Sequence, residues 1–157
     1  MKLLLIPDKF KGSLSSEAFT KAFISGIKES GIPYASHYIK ASDGGDGFMN
    51  AVASYIPCIS MQVISENPLG KLIQSYYLYN QKTNSAYIEL ANASGMELLL
   101  PEQQNPMLTT TYGTGLQIKD AVEKGVEHIY IGLGGSATND GGIGMARALG
   151  YLFLDDK

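Results

Sequence analysis

The chain has 157 residues, of which 45% are hydrophobic and 17% charged, as is typical of one ordinary globular domain or two very small ones. Its net charge of −3 provides no basic stripe for a phosphate backbone, so nucleic acid is not an expected partner. Its single cysteine, Cys58, cannot form an internal disulfide. The 18 glycines are an excess that must have a local explanation.

The N-terminal segment begins with an apolar run that covers only residues 3–6. This run is too short for the apolar region of a signal peptide, and no stretch of the chain approaches the length of a membrane span. We therefore expect a soluble, cytoplasmic protein with no membrane partner.

The first third of the chain follows the order β-α-β-α. The run at 3–6 predicts a short strand that is buried on both faces of a parallel sheet. Apolar residues at helical spacing predict a helix over 15–30, with Ser13 or Ser15 as its N-cap. A second strand is predicted at 36–41. A second helix, whose apolar positions extend from Phe48 to Tyr55, is predicted to stop at Pro57.

The remaining chain has a different pattern. Alternation of period two at 59–63 and 86–90, with 72–79 between them, predicts an antiparallel meander. A long irregular segment at 92–114 precedes a helix that ends at Gly125. A buried strand at 129–131, a glycine-rich loop, a helix at 143–149 and an apolar strand at 151–154 complete the pattern. Because a parallel strand must be covered on both faces, we expect further chain to follow.

Three loops follow apolar strands and precede helices, which is where ligands bind in open α/β sheets. The first loop, at 7–13, places polar side chains ahead of a helix N-terminus, where free N–H groups and the helix dipole favour an anion. It could hold a carboxylate or a phosphate, or Ser13 could cap the helix while the lysines are solvated. The polar residues of this loop are Asp8, Lys9, Lys11 and Ser13.

The second loop, at 43–47, has the sequence Asp-Gly-Gly-Asp-Gly. Its carboxylates could hold Mg²⁺ or accept a proton from a hydroxyl, and Gly44 and Gly45 let the backbone approach a ligand closely. Asp46 is typical of a helix N-cap, and we favour that structural interpretation for it. Asp43, at the carboxyl end of a predicted strand, is the stronger functional candidate.

The third loop, at 132–144, has six glycines in thirteen residues. Its backbone N–H groups could form a nest for phosphate oxygens, while Asp140 coordinates a metal or acts on a hydroxyl. A hydroxyl-rich stretch at 109–115, which includes Thr111, also precedes a helix and could bind an anion or cap that helix. The other candidate ligands in the third loop are Gly134, Gly135, Ser136, Thr138 and Asn139.

Two nucleotide-binding signatures bear on the third loop. The chain has no Walker-type P-loop, but Gly132, Gly134 and Ala137 match the relaxed dinucleotide fingerprint, with Asp155 and Asp156 at a suitable distance. An NAD(P)-dependent oxidoreductase that uses 132–137 is therefore an alternative. Against it, residues 139–142 should break the helix that this fingerprint requires.

Five segments in register resemble the bacterial type I glycerate kinase family: residues 7–15, 43–47, 91–96, 105–115 and 134–142. The first contains Pro7-Asp8 and Phe10-Lys11-Gly12-Ser13, and the last contains Gly134-Gly135-Ser136-Ala137-Thr138-Asn139-Asp140-Gly141-Gly142. Their order and spacing match across the whole chain. Members of the family are longer, so the resemblance covers only their N-terminal part.

The resemblance implies an α/β fold of two unlike domains. Residues 1–57 would be the first part of a discontinuous flavodoxin/Rossmann-like domain that a C-terminal part of the chain completes. Residues 58–157 would be a second α/β domain, truncated here, with the meander and a β-α unit. The site would lie in the cleft between the two domains.

The resemblance also implies a kinase that uses ATP and Mg²⁺ to phosphorylate D-glycerate, which gives 2-phosphoglycerate or 3-phosphoglycerate. Lys11, together with Lys9, would hold the glycerate carboxylate or the transferred phosphoryl group, and the glycine loops and Ser136 would contact an anionic group. Asp43 or Asp140 would take the hydroxyl proton or hold Mg²⁺. The 157-residue chain alone is expected to be inactive because one wall of the cleft would be missing.

Some positions depart from the family pattern. Lys9 stands where the family usually has Ser, Asp46 where it has Glu, and Phe48 where it has Thr. Gln103 and Gln104 replace residues that are often basic, and Leu116 replaces Glu. If a lost basic residue contacts the substrate in the family, Lys9 could substitute for it.

Overall fold

The computed structural model describes residues 1–8, 10 and 13–154. It has six strands and five α-helices in these residues, and the chain forms two compact units that divide after Ser42. No helix among these residues is long and apolar enough to cross a membrane. Lys9, Lys11 and Gly12, and the residues after Leu154, lie outside the described part of the chain.

The first unit, Met1–Ser42, contains two parallel strands joined by a helix. These elements are β1 (Lys2–Leu5), α1 (Ser16–Glu29) and β2 (Ala35–Tyr38). The hydroxyl of Ser15 accepts a hydrogen bond from the Ala18 N–H at 3.1 Å, which makes Ser15 the N-cap. This parallel crossover confirms the predicted β-α-β order.

The predicted burial of the first strand on both faces is wrong within this unit. The side chains of β1 alternate between exposed and half-buried, and Leu4 is 58% exposed. The reason is that the described elements of the unit are two strands and one helix, too few to cover both faces of a sheet.

The second unit begins at Asp43 and contains a four-stranded mixed sheet in the order β3-β4-β5-β6. Its first three strands form the predicted antiparallel meander, and β6 adds parallel to β5. The strands are β3 (Ile59–Glu66), β4 (Leu72–Asn80), β5 (Ser85–Glu89) and β6 (His128–Gly132). The helices are α2 (Phe48–Ala53), α3 (Ala91–Ser94), α4 (Tyr112–Glu123) and α5 (Ile143–Ala148).

The core of the second unit lies between one face of the sheet and α4. Val63, Tyr77, Ala86 and Ile88 contribute alternate positions of three strands, and Ala121 packs on them from α4. These are the apolar positions of the period-two pattern, which explains why the meander is readable from the sequence.

Helices α4 and α5 approach each other closely at Gly115. A Cβ atom at Gly115 would lie 2.6 Å from the Cβ of Ala148 and 2.7 Å from the Cα of Met145. Such separations exclude any side chain at this position. The glycine therefore allows the two helices that follow the hydroxyl-rich and glycine-rich loops to pack together.

Two predicted segments differ in the structure. Residues 151–154 form no strand, and Leu152 and Leu154 are 84% and 85% exposed. Their apolar sequence favours a strand, but they pair with no strand in the part of the chain that is described. The segment at 92–114 is more ordered than predicted, because it contains the rest of α3, two short 3₁₀ turns (Met96–Leu98 and Pro101–Gln103) and the start of α4.

The division after Ser42 precedes the domain boundary that the sequence analysis places after residue 57. Helix α2 lies between these two positions and packs on β4 and β5 of the second unit. The assignment of 1–57 to a discontinuous domain stays a prediction, while the contacts place α2 with the meander.

Candidate functional site

The two glycine-rich loops predicted to carry chemistry, 43–47 and 132–144, lie directly against each other in the second unit. The Gly134 N–H donates to the carbonyl oxygen of Gly44 at 2.9 Å. A Cβ at Gly134 would lie 2.2 Å from the Cα of Gly45, and a Cβ at Gly132 would lie 2.6 Å from the Gly44 oxygen. The glycines at this contact are required because backbone meets backbone there.

Asp43 is held by its own loop. Its Oδ1 atom accepts a hydrogen bond from the Gly45 N–H at 2.8 Å. Because the same loop is bonded to Gly134 through Gly44, the position of the Asp43 backbone is tied to the third loop. Sequence reasoning identified Asp43, Gly44, Gly45, Gly134 and Gly135 separately, and the structure brings these loop segments together.

The N-cap interpretation of Asp46 is wrong. The N-cap of α2 is Gly47, which lies in the left-handed region at φ 87°. A glycine has no side chain that could accept the capping hydrogen bond. Asp46 instead lies over the third loop, since its Oδ1 would be 2.3 Å from a Cβ at Gly135. The N–H groups of Gly47 and Met49, at the start of α2, instead donate to the side chain of a residue at the end of a strand.

That residue is Glu89, the last residue of β5, which the sequence analysis did not identify. Its Oε1 accepts from the Gly47 N–H at 3.0 Å and its Oε2 from the Met49 N–H at 2.9 Å. The available signal was a lone carboxylate at the carboxyl end of a strand that otherwise contains no charged residue. Its partners, forty or more residues earlier, were not readable from local patterns.

Asp140 joins the third loop to the hydroxyl-rich stretch ahead of α4. Its carboxylate accepts from the Thr111 N–H at 2.8 Å and from the Thr110 and Thr111 hydroxyls at 3.0–3.2 Å. It also accepts from the N–H groups of Gly142 and Gly144 at 3.0 and 3.1 Å. The carboxylate therefore meets the backbone at the starts of both α4 and α5.

These hydrogen bonds decide the charge state of Asp140. Burial by itself would raise the pKa of the carboxyl group. Hydrogen bonds from the N–H groups of Thr111, Gly142 and Gly144 and from the Thr111 hydroxyl outweigh burial and lower the pKa below the usual value of an aspartate. The group is an ionised anchor near neutral pH.

Other hydroxyls of this region also bond to the protein. Thr109 donates to the Ala137 carbonyl and Thr138 to the Thr109 carbonyl, both at 2.8 Å, and Ser136 donates to the Thr138 carbonyl at 2.9 Å. The hydroxyls of Thr111 and Thr138, predicted as phosphate ligands, thus join the hydroxyl-rich stretch to the third loop, and that of Ser136 makes a hydrogen bond within the third loop. Asn139 is exposed.

The candidate residues of the first loop belong to the other compact unit. The Ser13 hydroxyl donates to the Phe10 carbonyl at 3.0 Å, and Asp8 is in the same unit. Lys9 and Lys11 lie outside the described residues.

The predicted magnesium site rests on one or two carboxylates. No group of three or more His, Cys, Asp or Glu side chains that could hold a metal occurs among residues 1–8, 10 and 13–154. Mg²⁺ in phosphoryl-transfer sites is commonly held by one or two carboxylates together with substrate phosphates, so a single aspartate fits this chemistry. The oxygens of Asp140 already accept hydrogen bonds from the five donor groups described above.

The dinucleotide fingerprint lacks its structural context. After β6 the chain turns repeatedly, and the next helix, α5, begins only at Ile143 rather than running through Ala137. The space beside Gly134 and Gly135 is filled by Gly45 and Asp46. These features argue against a dinucleotide bound in the manner of that fingerprint, and so against the oxidoreductase alternative.

Comparison with known proteins gives one consistent result. Residues 3–157 match the model of the Glycerate kinase family. The chain is 41% identical to a glycerate kinase of Haemophilus influenzae over 100% of its own length and 42% of that protein. It is 38% identical to a glycerate 2-kinase of Escherichia coli over 99% of its own length and 41% of that protein.

A solved structure agrees with the sequence matches. A protein from Salmonella typhimurium LT2 that is assigned as glycerate kinase 2 superposes with a TM-score of 0.71 at 41% identity. The superposition covers 96% of this chain and 41% of that one. The chain therefore spans less than half the length of the relatives that it matches.

Proposed function

The chain belongs to the glycerate kinase family, and from that premise we propose that the protein transfers the γ-phosphoryl group of ATP to a hydroxyl of D-glycerate. The observation that carries the proposal is the family match over residues 3–157, which includes every loop of the candidate site. The product would be 2-phosphoglycerate or 3-phosphoglycerate. A cytoplasmic location, as expected from the sequence, is part of the same proposal.

Phosphoryl transfer requires the protein mainly to align the reactants and to neutralise charge. In this proposal Lys11 and Lys9 bind the glycerate carboxylate or the transferred phosphoryl group, and Asp8 and Ser13 of the same loop contribute to the substrate-binding site. Backbone and side-chain groups of the other loops contact the substrate or phosphate. These groups are Gly44, Gly45, Thr111, Gly134, Gly135, Ser136, Thr138 and Asn139.

The two aspartates receive different roles. Asp43, on the loop that packs against Gly134, accepts the proton of the glycerate hydroxyl or is the carboxylate that would hold Mg²⁺. When bound, Mg²⁺ neutralises charge on the phosphates of ATP. Asp140 is a positioning residue, because its oxygens accept hydrogen bonds from groups at the starts of α4 and α5.

The test is a coupled ADP assay with D-glycerate and Mg-ATP. It is run on the 157-residue chain and on a longer version that has the length of the relatives. Asp43→Asn is expected to lower kcat by about 10²- to 10⁴-fold, the usual contribution of a general base. The matched control is Glu127→Gln, an exposed carboxylate ahead of β6.

The assay also separates the remaining possibilities. Turnover by the longer version but not by the 157-residue chain would identify the chain as an inactive part of the kinase. Wild-type turnover by Asp43→Asn would contradict the role given to Asp43. NMR of the product distinguishes 2-phosphoglycerate from 3-phosphoglycerate.

A further inference from the structure

Glu89 binds the start of α2 with both of its carboxylate oxygens. Oε1 accepts from the Gly47 N–H at 3.0 Å and Oε2 from the Met49 N–H at 2.9 Å. A charged acceptor at a helix start interacts favourably with the helix dipole, and such hydrogen bonds are stronger than neutral ones. This carboxylate therefore fixes the direction in which the chain leaves the 43–47 loop.

The backbone of Glu89 is held by the sheet. In the parallel pair of β5 and β6, Glu89 is in register with Gly132, and the next residue, Leu90, donates its N–H to the Gly132 carbonyl at 2.9 Å. Glu89 is thus the last strand residue before the point at which the glycine-rich third loop begins. Its backbone is therefore held by β5, which has a neighbouring strand on each side.

The 43–47 loop consequently has two anchors in the second unit. The first is the hydrogen bond from the Gly134 N–H to the Gly44 carbonyl, and the second is the pair of bonds to Glu89. Asp43 is coupled to both anchors, because its Oδ1 accepts from the Gly45 N–H and the Gly45 carbonyl accepts from the Phe48 N–H. Loss of Glu89 would remove the second of these two anchors.

We infer that Glu89 is a positioning residue for phosphoryl transfer, which holds the 43–47 loop so that Asp43 meets the substrate hydroxyl. The inference rests on the proposed function, since it requires that Asp43 act on the substrate. Glu89 itself touches only the backbone of α2 and its preceding loop in the contacts described. Its effect on turnover should therefore pass through the 43–47 loop that carries Asp43.

The first test measures turnover in the longer version of the protein. Glu89→Ala is expected to lower kcat about 10- to 100-fold, because a displacement of about 1 Å in a reacting group can cost about 100-fold. Glu89→Gln keeps the shape and one acceptor oxygen, so its kcat should be intermediate. Glu127→Ala, a matched change ahead of the strand that pairs with β5, should have wild-type turnover.

A double-mutant cycle distinguishes positioning from a merely structural role. If Glu89 acts through Asp43, adding Glu89→Ala to Asp43→Asn should lower kcat by less than about threefold further, since interacting residues are not additive. Full multiplication of the two single effects, or wild-type kcat in Glu89→Ala, would overturn the inference. Melting temperatures of all variants show that each one is folded.

A second measurement does not depend on activity. In the 157-residue chain, NMR amide exchange at Gly47 and Met49 should become at least about tenfold faster in Glu89→Ala and stay unchanged in Glu127→Ala, because an unprotected N–H exchanges more readily. Unchanged exchange would refute the anchor. Absence of glycerate-dependent ADP formation by the unmodified longer protein would refute the proposed function, and with it the catalytic effect of Glu89, whatever the exchange result.

Discussion

Asp140 should be a major contributor to stability, and Asp140→Asn tests this directly. In the native protein its carboxylate accepts from the backbone N–H groups of Thr111, Gly142 and Gly144 and from two threonine hydroxyls. The hydroxyls can rotate to donate elsewhere, but the three N–H groups cannot. Replacing one oxygen by NH₂ makes at least one of these N–H groups face another donor.

The magnitude follows from these contacts. A hydrogen bond to a charged group contributes about 1.5–3 kcal/mol, and an unsatisfied donor costs about 1–3 kcal/mol. We expect Asp140→Asn to lower the free energy of unfolding by about 2–4 kcal/mol, and Asp140→Ala by about 3–5 kcal/mol. For a chain of this size, such changes correspond to a Tm lower by roughly 10 °C.

The assay is urea unfolding of the 157-residue chain, monitored by circular dichroism at neutral pH. Glu123→Gln is the control, because Glu123 lies on the same helix α4 and is 65% exposed, in a long ion pair with Lys119. It should change the free energy of unfolding by less than about 0.5 kcal/mol. A similarly small change in Asp140→Asn would refute the anchoring role of Asp140.

The pH dependence gives a second check on Asp140. Its folded pKa is lowered, so the stabilisation is fully present above the unfolded aspartate pKa of about 3.9 and is lost as the pH falls through the folded value. The difference in unfolding free energy between the wild type and Asp140→Asn should therefore shrink below about pH 4. A difference that stays constant or grows with acid would contradict this linkage.

The remaining predictions concern Gly134 and Tyr77. Gly134→Ala should lower the free energy of unfolding by more than about 2 kcal/mol in the same urea assay, because its Cβ would lie 2.2 Å from the Cα of Gly45. The control is Gly26→Ala in α1, which should be neutral or stabilising because nothing lies within 4 Å of its Cβ. Burial and the hydrogen bond to Asp120 raise the pKa of the Tyr77 phenol far above its usual value. Tyr77 should therefore stay protonated above about pH 10, where an ordinary tyrosine ionises, in an ultraviolet pH titration. Tyr77→Phe should cost about 1–2 kcal/mol because it removes the hydrogen bond to Asp120, whose carboxylate keeps Lys124 as its other partner.

The sequence predicted the elements whose stability comes from one buried face. The meander was readable because Val63, Tyr77 and Ile88 lie on the one face of the sheet that packs against α4. The helix over 15–30 was readable because its apolar stripe and its cap, Ser15, are both local features. In each case the side chains that determine the element lie within it or next to it.

Residues 151–154 were predicted to form a strand and do not. Their apolar side chains favour a strand, but a strand forms only where another backbone edge is available for hydrogen bonds. Apolar sequence reports a preference for burial and says nothing about a pairing partner. The segment accordingly has strand-like composition and no strand in the described structure.

The two aspartates of the site could not be distinguished for a similar reason. Asp43 and Asp140 both stand among glycines after a predicted strand, and the sequence analysis gave both of them the same possible roles. The difference between them is the set of N–H groups that donate to the Asp140 carboxylate. One of these donors, Thr111, lies 29 residues before Asp140, so a local pattern cannot reveal it. The anchoring role of Asp140, like that of Glu89, depends on tertiary contacts that no local pattern encodes.

The sequence analysis explained the glycine excess only in part. A glycine signals that another group comes too close for a Cβ or that φ is positive, and neither requirement identifies the neighbouring group. At Gly132 and Gly134 the neighbour is the backbone of the 43–47 loop. These glycines are therefore needed to join two loops even before any ligand binds, so substitutions there should disturb folding as well as any ligand contact that the loops make.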